Sequence, residues 1–295
     1  MARPLLSIVI ATYRRLVRLQ RCIEHIRRNV DVDHEVVVVD GGSDDGTPEW
    51  LAAQRDVRFS VESPRKGCRS AYDVGFRAAA GEFVTWLNDD AYPLPGAADR
   101  AIHFLQSDLA RDVGMAAFYH NHQQPWNELH GVDDGEHRFG ILHVRGFPYA
   151  NFGLLRASLL AGVGYLDPGY RFCAWDPDLS LKVHREAGLL VVGVPDARVF
   201  HEELIDERKR DDADSIRTQD NERLFRKWNL PAKGEFPDPR PEYSRTATGL
   251  GLVTAISSQS RDRKGAVGTD VEAAWTNREC FDAPARPLAY GRGSD

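Results

Sequence analysis

The residues best equipped for chemistry are acids placed where apolar runs give way to polar ones. Asn88-Asp89-Asp90 follows Phe83-Val84-Thr85-Trp86-Leu87. Adjacent carboxylates there could hold a divalent cation: magnesium and manganese take hard oxygen ligands, keep waters and bind substrate phosphates as well. The same residues are also ordinary turn chemistry. Asp40 follows four valines and opens Gly41-Gly42. Its carboxylate could accept hydrogen bonds from a nucleobase imide or a ribose, or it could begin an Asp-Gly turn. Asp176-Pro177-Asp178 precedes Leu179 and Leu181. One of these acids could act as a general base, and Asp176 could equally be an N-cap with Pro177 at the first helical position. Two residues apart on a helix, their side chains diverge, so only one faces a given cleft. His201 closes Val199-Phe200-His201. It becomes a metal ligand only if the acids lie beside it. His120, His122, His130, His137 and His143 show no compact ligand spacing, and the segment 119–145 reads as surface loop.

Elements of regular structure have to bring these residues together. Residues 5–11 read as a buried strand, and Leu16, Leu19, Ile23 and Ile26 recur at helical spacing after it. Glu35–Val39 is a second strand. Thr47-Pro48-Glu49 starts a helix with Thr47 as N-cap, Val57–Val61 is a short strand, and Ser70–Asp73 is a capping-box pattern opening a helix to Ala80. Glu82–Leu87 is a further strand, 153–162 a short helix, and 176–187 a longer one. Leu189–Val194 and Val199–His201 are two strands, and 202–228 is helical in part. Strands alternating with helices give an α/β fold with a Rossmann-like, mostly parallel sheet flanked by helices. Ligands of such sheets sit beyond the carboxyl ends of the strands. From about Glu235 prolines and mixed charge replace periodicity, so 235–295 reads as a mostly disordered tail.

The bulk properties narrow the classes. The chain has 295 residues, 42% hydrophobic and 28% charged, with a net charge of −6. That composition builds a full core and disfavours a generic nucleic-acid binder. Four separated cysteines, Cys22, Cys68, Cys173 and Cys280, suit a reducing compartment. No apolar run reaches the length of a membrane helix. Tyr13-Arg14-Arg15 directly after the first apolar run argues against a signal peptide. The expectation is a cytoplasmic protein without a membrane span, touching a membrane at most peripherally. No G-x-G-x-x-G and no P-loop motif is present.

Six segments in order resemble family 2 glycosyltransferases of the GT-A fold. They are Ser7–Tyr13, Val38–Thr47, Gly81–Asp90, Asp176–Lys182 with Arg185–Gly188, Val194–His201 and Phe225–Trp228. The resemblance covers residues 5 to about 230. It implies a catalytic domain over 1–234, with a nucleotide-sugar half of about 1–95 and an acceptor half of about 96–234. The implied activity is inverting transfer of a sugar from a UDP-, GDP- or dTDP-linked donor to a glycan, lipid-linked or small-molecule hydroxyl, assisted by Mn2+ or Mg2+. Carried onto this chain, it implies Thr12, Tyr13, Asp40, Lys66, Asn88 and Asp89 at the donor. Asp90 and His201, with Asp89, would serve the metal. Asp176 is the implied base, with Asp178 as runner-up. Trp126, Tyr149, Asn151 and Trp175 are the expected acceptor contacts, since aromatic faces pack on sugar rings. The chain departs from the family pattern at Trp175, where a Glu is usual, at Asn88 in the first acidic place of the D-x-D, and at Tyr72-Asp73 in place of Arg-Asn. Two other classes share parts of this pattern: a GT-A-like nucleotidyltransferase and a non-catalytic sugar-nucleotide-binding module.

Overall fold

A computed structural model describes residues 3–122, 128–202 and 214–230. The segment 235–295 and Trp126 lie outside these residues. The first half is built as the apolar runs dictate. β1 (Leu6–Thr12), β2 (His34–Asp40), β3 (Val57–Val61) and β4 (Phe83–Asn88) lie side by side in parallel, in the order β3-β2-β1-β4. Helices cover both faces of the central strands, so β1 is buried along nearly its whole length. α1 (Leu16–Asn29) packs Leu19, Cys22, Ile23 and Ile26 onto the sheet, the stripe its spacing demands. α2 (Thr47–Ala52) and α3 (Cys68–Ala78) complete this half.

Beyond β4 the sheet changes character. β5 (Ala91–Pro93), α4 (Ala97–Gln106), β6 (Val113–Asn121), β7 (Glu128–Asp133), β8 (Arg138–Val144) and β9 (Phe147–Tyr149) come next in the chain. They are followed by β10 (Gly153–Arg156), α5 (Ala157–Gly162), α6 (Trp175–Arg185), β11 (Leu190–His201) and α7 (Asp214–Trp228). β10 pairs antiparallel with both β4 and β6, β11 runs parallel to β6, and β5 is antiparallel to the end of β11. β8 pairs antiparallel with β6, β7 and β9. The sheet is therefore mixed, parallel in its first half and largely antiparallel in its second.

Several local readings are corrected by the structure. Within 119–145 the described residues are mostly strand rather than loop, and the histidines divide, His120 inside and His130 and His137 exposed. His120 is buried, and burial beside Arg145 pushes the His143 imidazole down to about 4. Gly46, in the left-handed region at φ 88°, precedes α2, so Thr47 is the first helical residue rather than the cap. α3 starts at Cys68 after Gly67, two residues ahead of the expected cap Ser70. Residues 153–156 are strand, and only 157–162 are helix. Residues 190–201 form one strand with an irregularity between Val194 and Arg198. No helix among the described residues is long and apolar enough to cross a membrane.

Candidate active site

The chain order reverses around β1 and β4, and a cleft opens beyond their carboxyl ends. Its cavity volume is about 240 Å³, more than a lone ion needs. Register fixes what stands at its rim: Thr12 faces Asp40 across β1–β2, and Ala11 faces Asn88 across β1–β4.

Asp89 and Asp90 follow the end of β4 and are buried, yet both contribute to the cleft wall. Arg15 stands between them. Its Nη1 donates to Asp89 Oδ1 at 2.9 Å and to Asp90 Oδ2 at 2.8 Å, with all three side chains about 95% buried or more. Thr12 Oγ1 donates to Asp89 Oδ2 at 2.9 Å, so both oxygens of Asp89 are engaged. The compensating cation answers the desolvation that two neighbouring acids would otherwise suffer. Arg14 at φ 53° turns the chain so that its own side chain goes outward to Asp44 while Arg15 goes inward.

β5 and the end of β11 pair antiparallel, with His201 opposite Ala91. That register lays His201 Nε2 3.2 Å from Asp90 Oδ1 and 3.2 Å from Asn88 Nδ2. Asn88 Oδ1 accepts from Tyr72 OH at 2.8 Å. A carboxylate oxygen and an imidazole nitrogen that converge in this way fit a divalent ion. Ligands at about 2.1 Å from a metal stand roughly 3 Å apart when adjacent. Among the described residues no group of three or more His, Cys, Asp or Glu side chains could hold a metal alone. Asp90 and His201 would thus share an ion with waters and substrate oxygens, as magnesium sites commonly do.

On the opposite wall, α6 begins after Ala174, which adopts φ 61°. Asp176 and Trp175 line the cleft with Asn151, Phe172 and Cys173. Trp175 packs against Tyr72 and Trp86, ring centroids 4.7 and 5.7 Å away. Asp176 sits in this mostly apolar wall, and desolvation pushes its carboxyl up to about 7. It is not the N-cap of α6, a place taken by Ala174. Asp178 points elsewhere. It is 1% exposed and accepts from Tyr170 OH at 3.0 Å and Trp228 Nε1 at 2.7 Å, with Lys227 Nζ 3.0 Å from its other oxygen.

Four further expected residues lie off the cleft lining: His201, which stands beside Asp90, and Asp40, Lys66 and Tyr149. Asp40 is fully buried, and its oxygens accept from the backbone N–H groups of Gly42 and Ser43 and from the Ser43 hydroxyl. Its carboxylate braces its own Gly-Gly loop and is not part of the cleft lining. Lys66 is exposed, and its neighbour Arg65 lines the cleft instead. Tyr149 is buried on β9 opposite Leu142. Tyr13 lines the cleft, with the Arg65 guanidinium 4.4 Å above its ring. Arg15, Glu62 and Arg65 are cleft residues that the pattern of the chain did not single out.

Residues 7–160 match the family described as glycosyl transferase family 2, and the chain belongs to that family. The fold agrees. A mannosyltransferase of Pyrobaculum calidifontis, solved with GDP-Man and Mn2+, superposes with a TM-score of 0.57 at 19% identity over 90% of this chain and 77% of its own. TarS of S. aureus in complex with UDP-GlcNAc superposes with a TM-score of 0.58 at 16% identity, covering 87% of this chain and 72% of that one. These likenesses define a GT-A architecture. By sequence, a glycosyltransferase of Rickettsia typhi is 26% identical over 57% of this chain and 52% of its own length. A GalNAc(5)-diNAcBac-PP-undecaprenol beta-1,3-glucosyltransferase of Campylobacter jejuni is 33% identical over 32% of each chain. The putative glycosyltransferase EpsH of Bacillus subtilis is 29% identical over 32% of this chain and 28% of its own length. The chain thus spans from about a quarter to about half the length of these curated relatives.

Proposed function

We propose that this protein is an inverting glycosyltransferase that moves a sugar from a nucleoside diphosphate to an acceptor hydroxyl. The observation that carries this reading is the division of one cleft into two chemistries. Asp90 lines the cleft with His201 3.2 Å from it, and Asp176, its carboxyl raised by desolvation, lines the same cleft. The solved relatives that hold GDP-Man with Mn2+ and UDP-GlcNAc support a nucleotide-sugar donor.

The chain's own groups then have distinct tasks. Tyr13 and Thr12 border the donor half, and Arg15 binds both aspartates, leaving the other oxygen of Asp90 beside His201. A divalent ion held by Asp90 and His201 would supply charge to a leaving diphosphate, an effect of several kcal/mol. Asp176 takes the proton of the acceptor hydroxyl as its oxygen bonds to the anomeric carbon. The bond to the diphosphate breaks on the opposite face, so the configuration inverts. A pKa near 7 suits this task, because the carboxylate is populated and still basic enough to accept. Asn151, Phe172 and Trp175 offer the acceptor a polar group and two aromatic faces. The acceptor would be a glycan, lipid-linked or small-molecule alcohol. The catalytic domain would extend over 1–234, with donor and acceptor halves meeting near residue 95.

The test is a calorimetric titration of nucleoside diphosphates with and without Mn2+, followed by a transfer assay on the NDP-sugar that binds. Metal-dependent nucleotide binding together with an anomerically inverted product is expected. Binding that ignores the metal, or a product with retained configuration, would defeat the proposal.

A further inference from the structure

The donor end of the cleft holds one carboxylate whose role the reaction above leaves open. Glu62 follows β3, where its backbone N–H donates to Asp40 O at 2.7 Å. Glu62 lines the cleft, together with Tyr13, Gly41 and Arg65. The residue is 8% exposed. Oε2 accepts the backbone N–H of Lys66 at 3.0 Å, and Oε1 is buried without a hydrogen-bond partner among the described residues. A buried acceptor left unmade carries a desolvation cost and calls for an explanation.

The surroundings describe a slot for a flat ring. Tyr13 offers an aromatic face, now covered by the Arg65 guanidinium. Gly41 forms the floor: a Cβ there would stand 3.3 Å from both the Tyr13 ring and the Arg65 side chain. Asp40, the other acid at this end, already gives its oxygens to its own loop. Glu62 is therefore the acid left to meet a base edge.

An ionised carboxylate only accepts, through two oxygens with about four lone-pair sites. Guanine presents two adjacent donors, N1–H and the N2 amine, which match both oxygens side by side. The Oε2 atom keeps a lone pair after its bond to Lys66. Uracil and thymine present one N–H between two carbonyls, and those carbonyls would face the carboxylate. We propose that Glu62 reads the nucleobase of the donor and selects guanine over uracil and thymine, so that the substrate is a GDP-sugar. This rests on the donor-binding reading given above. The Arg65 side chain would leave the Tyr13 face as the base enters.

Isothermal titration of the full chain in Mn2+ with GDP, IDP, UDP and dTDP tests it. IDP keeps N1–H and lacks the N2 amine. A lost hydrogen bond to a charged group is worth about 10- to 100-fold, so GDP should bind most tightly, IDP about 10-fold more weakly, and UDP and dTDP more weakly still. Glu62→Gln should bring GDP down to the level of UDP and leave UDP within about threefold. If this variant fails to fold by circular dichroism, the wild-type order of GDP, IDP and UDP decides alone. UDP or dTDP binding as tightly as GDP, or GDP unaffected in a folded Glu62→Gln protein, would overturn the base assignment while leaving the donor reading intact. Failure of every nucleotide to bind would remove both.

Discussion

The two acidic walls of the cleft are stabilised in opposite ways. Asp89 and Asp90 are buried beside a cation, with Arg15 within 2.9 Å of each. Asp176 has no such partner and is shifted upward by desolvation alone. A neighbouring positive charge favours the carboxylate form, whereas an apolar surround disfavours it. The comparison teaches that one cleft can keep two acids in the charged form and hold a third close to neutrality. Placement relative to a single arginine separates them.

The sharpest way to break this comparison is to remove a carboxylate from each wall in turn. Asp90→Ala should abolish metal-dependent nucleotide binding and lower transfer by about a thousandfold or more, given an electrostatic contribution of several kcal/mol. Asp176→Asn should lower transfer by about 10²–10⁴-fold with nucleotide affinity unchanged, the range for loss of a general base. Calorimetry and single-turnover rates on both proteins check the pair. If Asp176→Asn weakens nucleotide binding as much as Asp90→Ala does, the two walls do not divide the chemistry.

Asp178 supplies the contrast within α6. Asp178→Ala would strand Tyr170 OH, Trp228 Nε1 and the Lys227 ammonium, which now converge on it. Breaking a buried pair of this kind should cost about 3 kcal/mol, a fall in Tm of about 6–12 °C. Transfer per folded molecule should stay near wild type. Loss of transfer in fully folded protein would assign the base to Asp178 instead.

The protonation of Asp176 makes a prediction with a definite sign. Its carboxyl titrates near 3.8 in the unfolded chain and near 7 in the fold. Between those values the folded state binds more protons, so stability declines as pH rises through that window. Asp176→Asn should therefore be neutral at pH 3 and stabilising by about 4 kcal/mol at pH 8, measured by urea unfolding. Wild-type transfer should rise about tenfold per pH unit up to about 7 and then level, because only the carboxylate accepts. A flat rate profile from pH 5 to 8 would count against this base. The smallest effect belongs to the exposed Glu24–Arg28 pair on α1, 2.6 Å apart with both side chains more than 60% exposed. Glu24→Ala should change stability by less than about 0.5 kcal/mol.

The legible parts of this molecule were those written in runs. The valines of β2 and the apolar stretch of β4 mark strands, and acids directly after them stand at a carboxyl edge. Asp89 and Asp90 can be placed that way, and His201 by its position at the close of an apolar triplet. Arg15 was hidden, because its inward turn depends on the left-handed backbone of Arg14, which no spacing announces. Glu62 was hidden for a related reason: it sits just past a short edge strand whose burial is partial. Strands β6 to β8 were missed because histidine, tyrosine and glycine occupy buried places and blur the alternation. Asp40 was legible as a position and misread as an orientation, since only coordinates show its oxygens folded back on Gly42 and Ser43.

The grip of α7 on the approach to Asp176 has a consequence for when the protein becomes competent. Asp220 accepts the backbone N–H groups of Arg171, Phe172 and Cys173, and Lys227 and Trp228 hold Asp178. Chains fold broadly from the N-terminus as they emerge from the ribosome. Strands β1 to β4 are therefore available to pair early, while the loop that delivers Asp176 waits for a helix synthesised much later. A nascent chain arrested before Asp220 would have the proposed nucleotide end of the cleft without the contacts that seat the loop before Asp176. Synthesis itself would thus set the order in which recognition and reactivity are acquired.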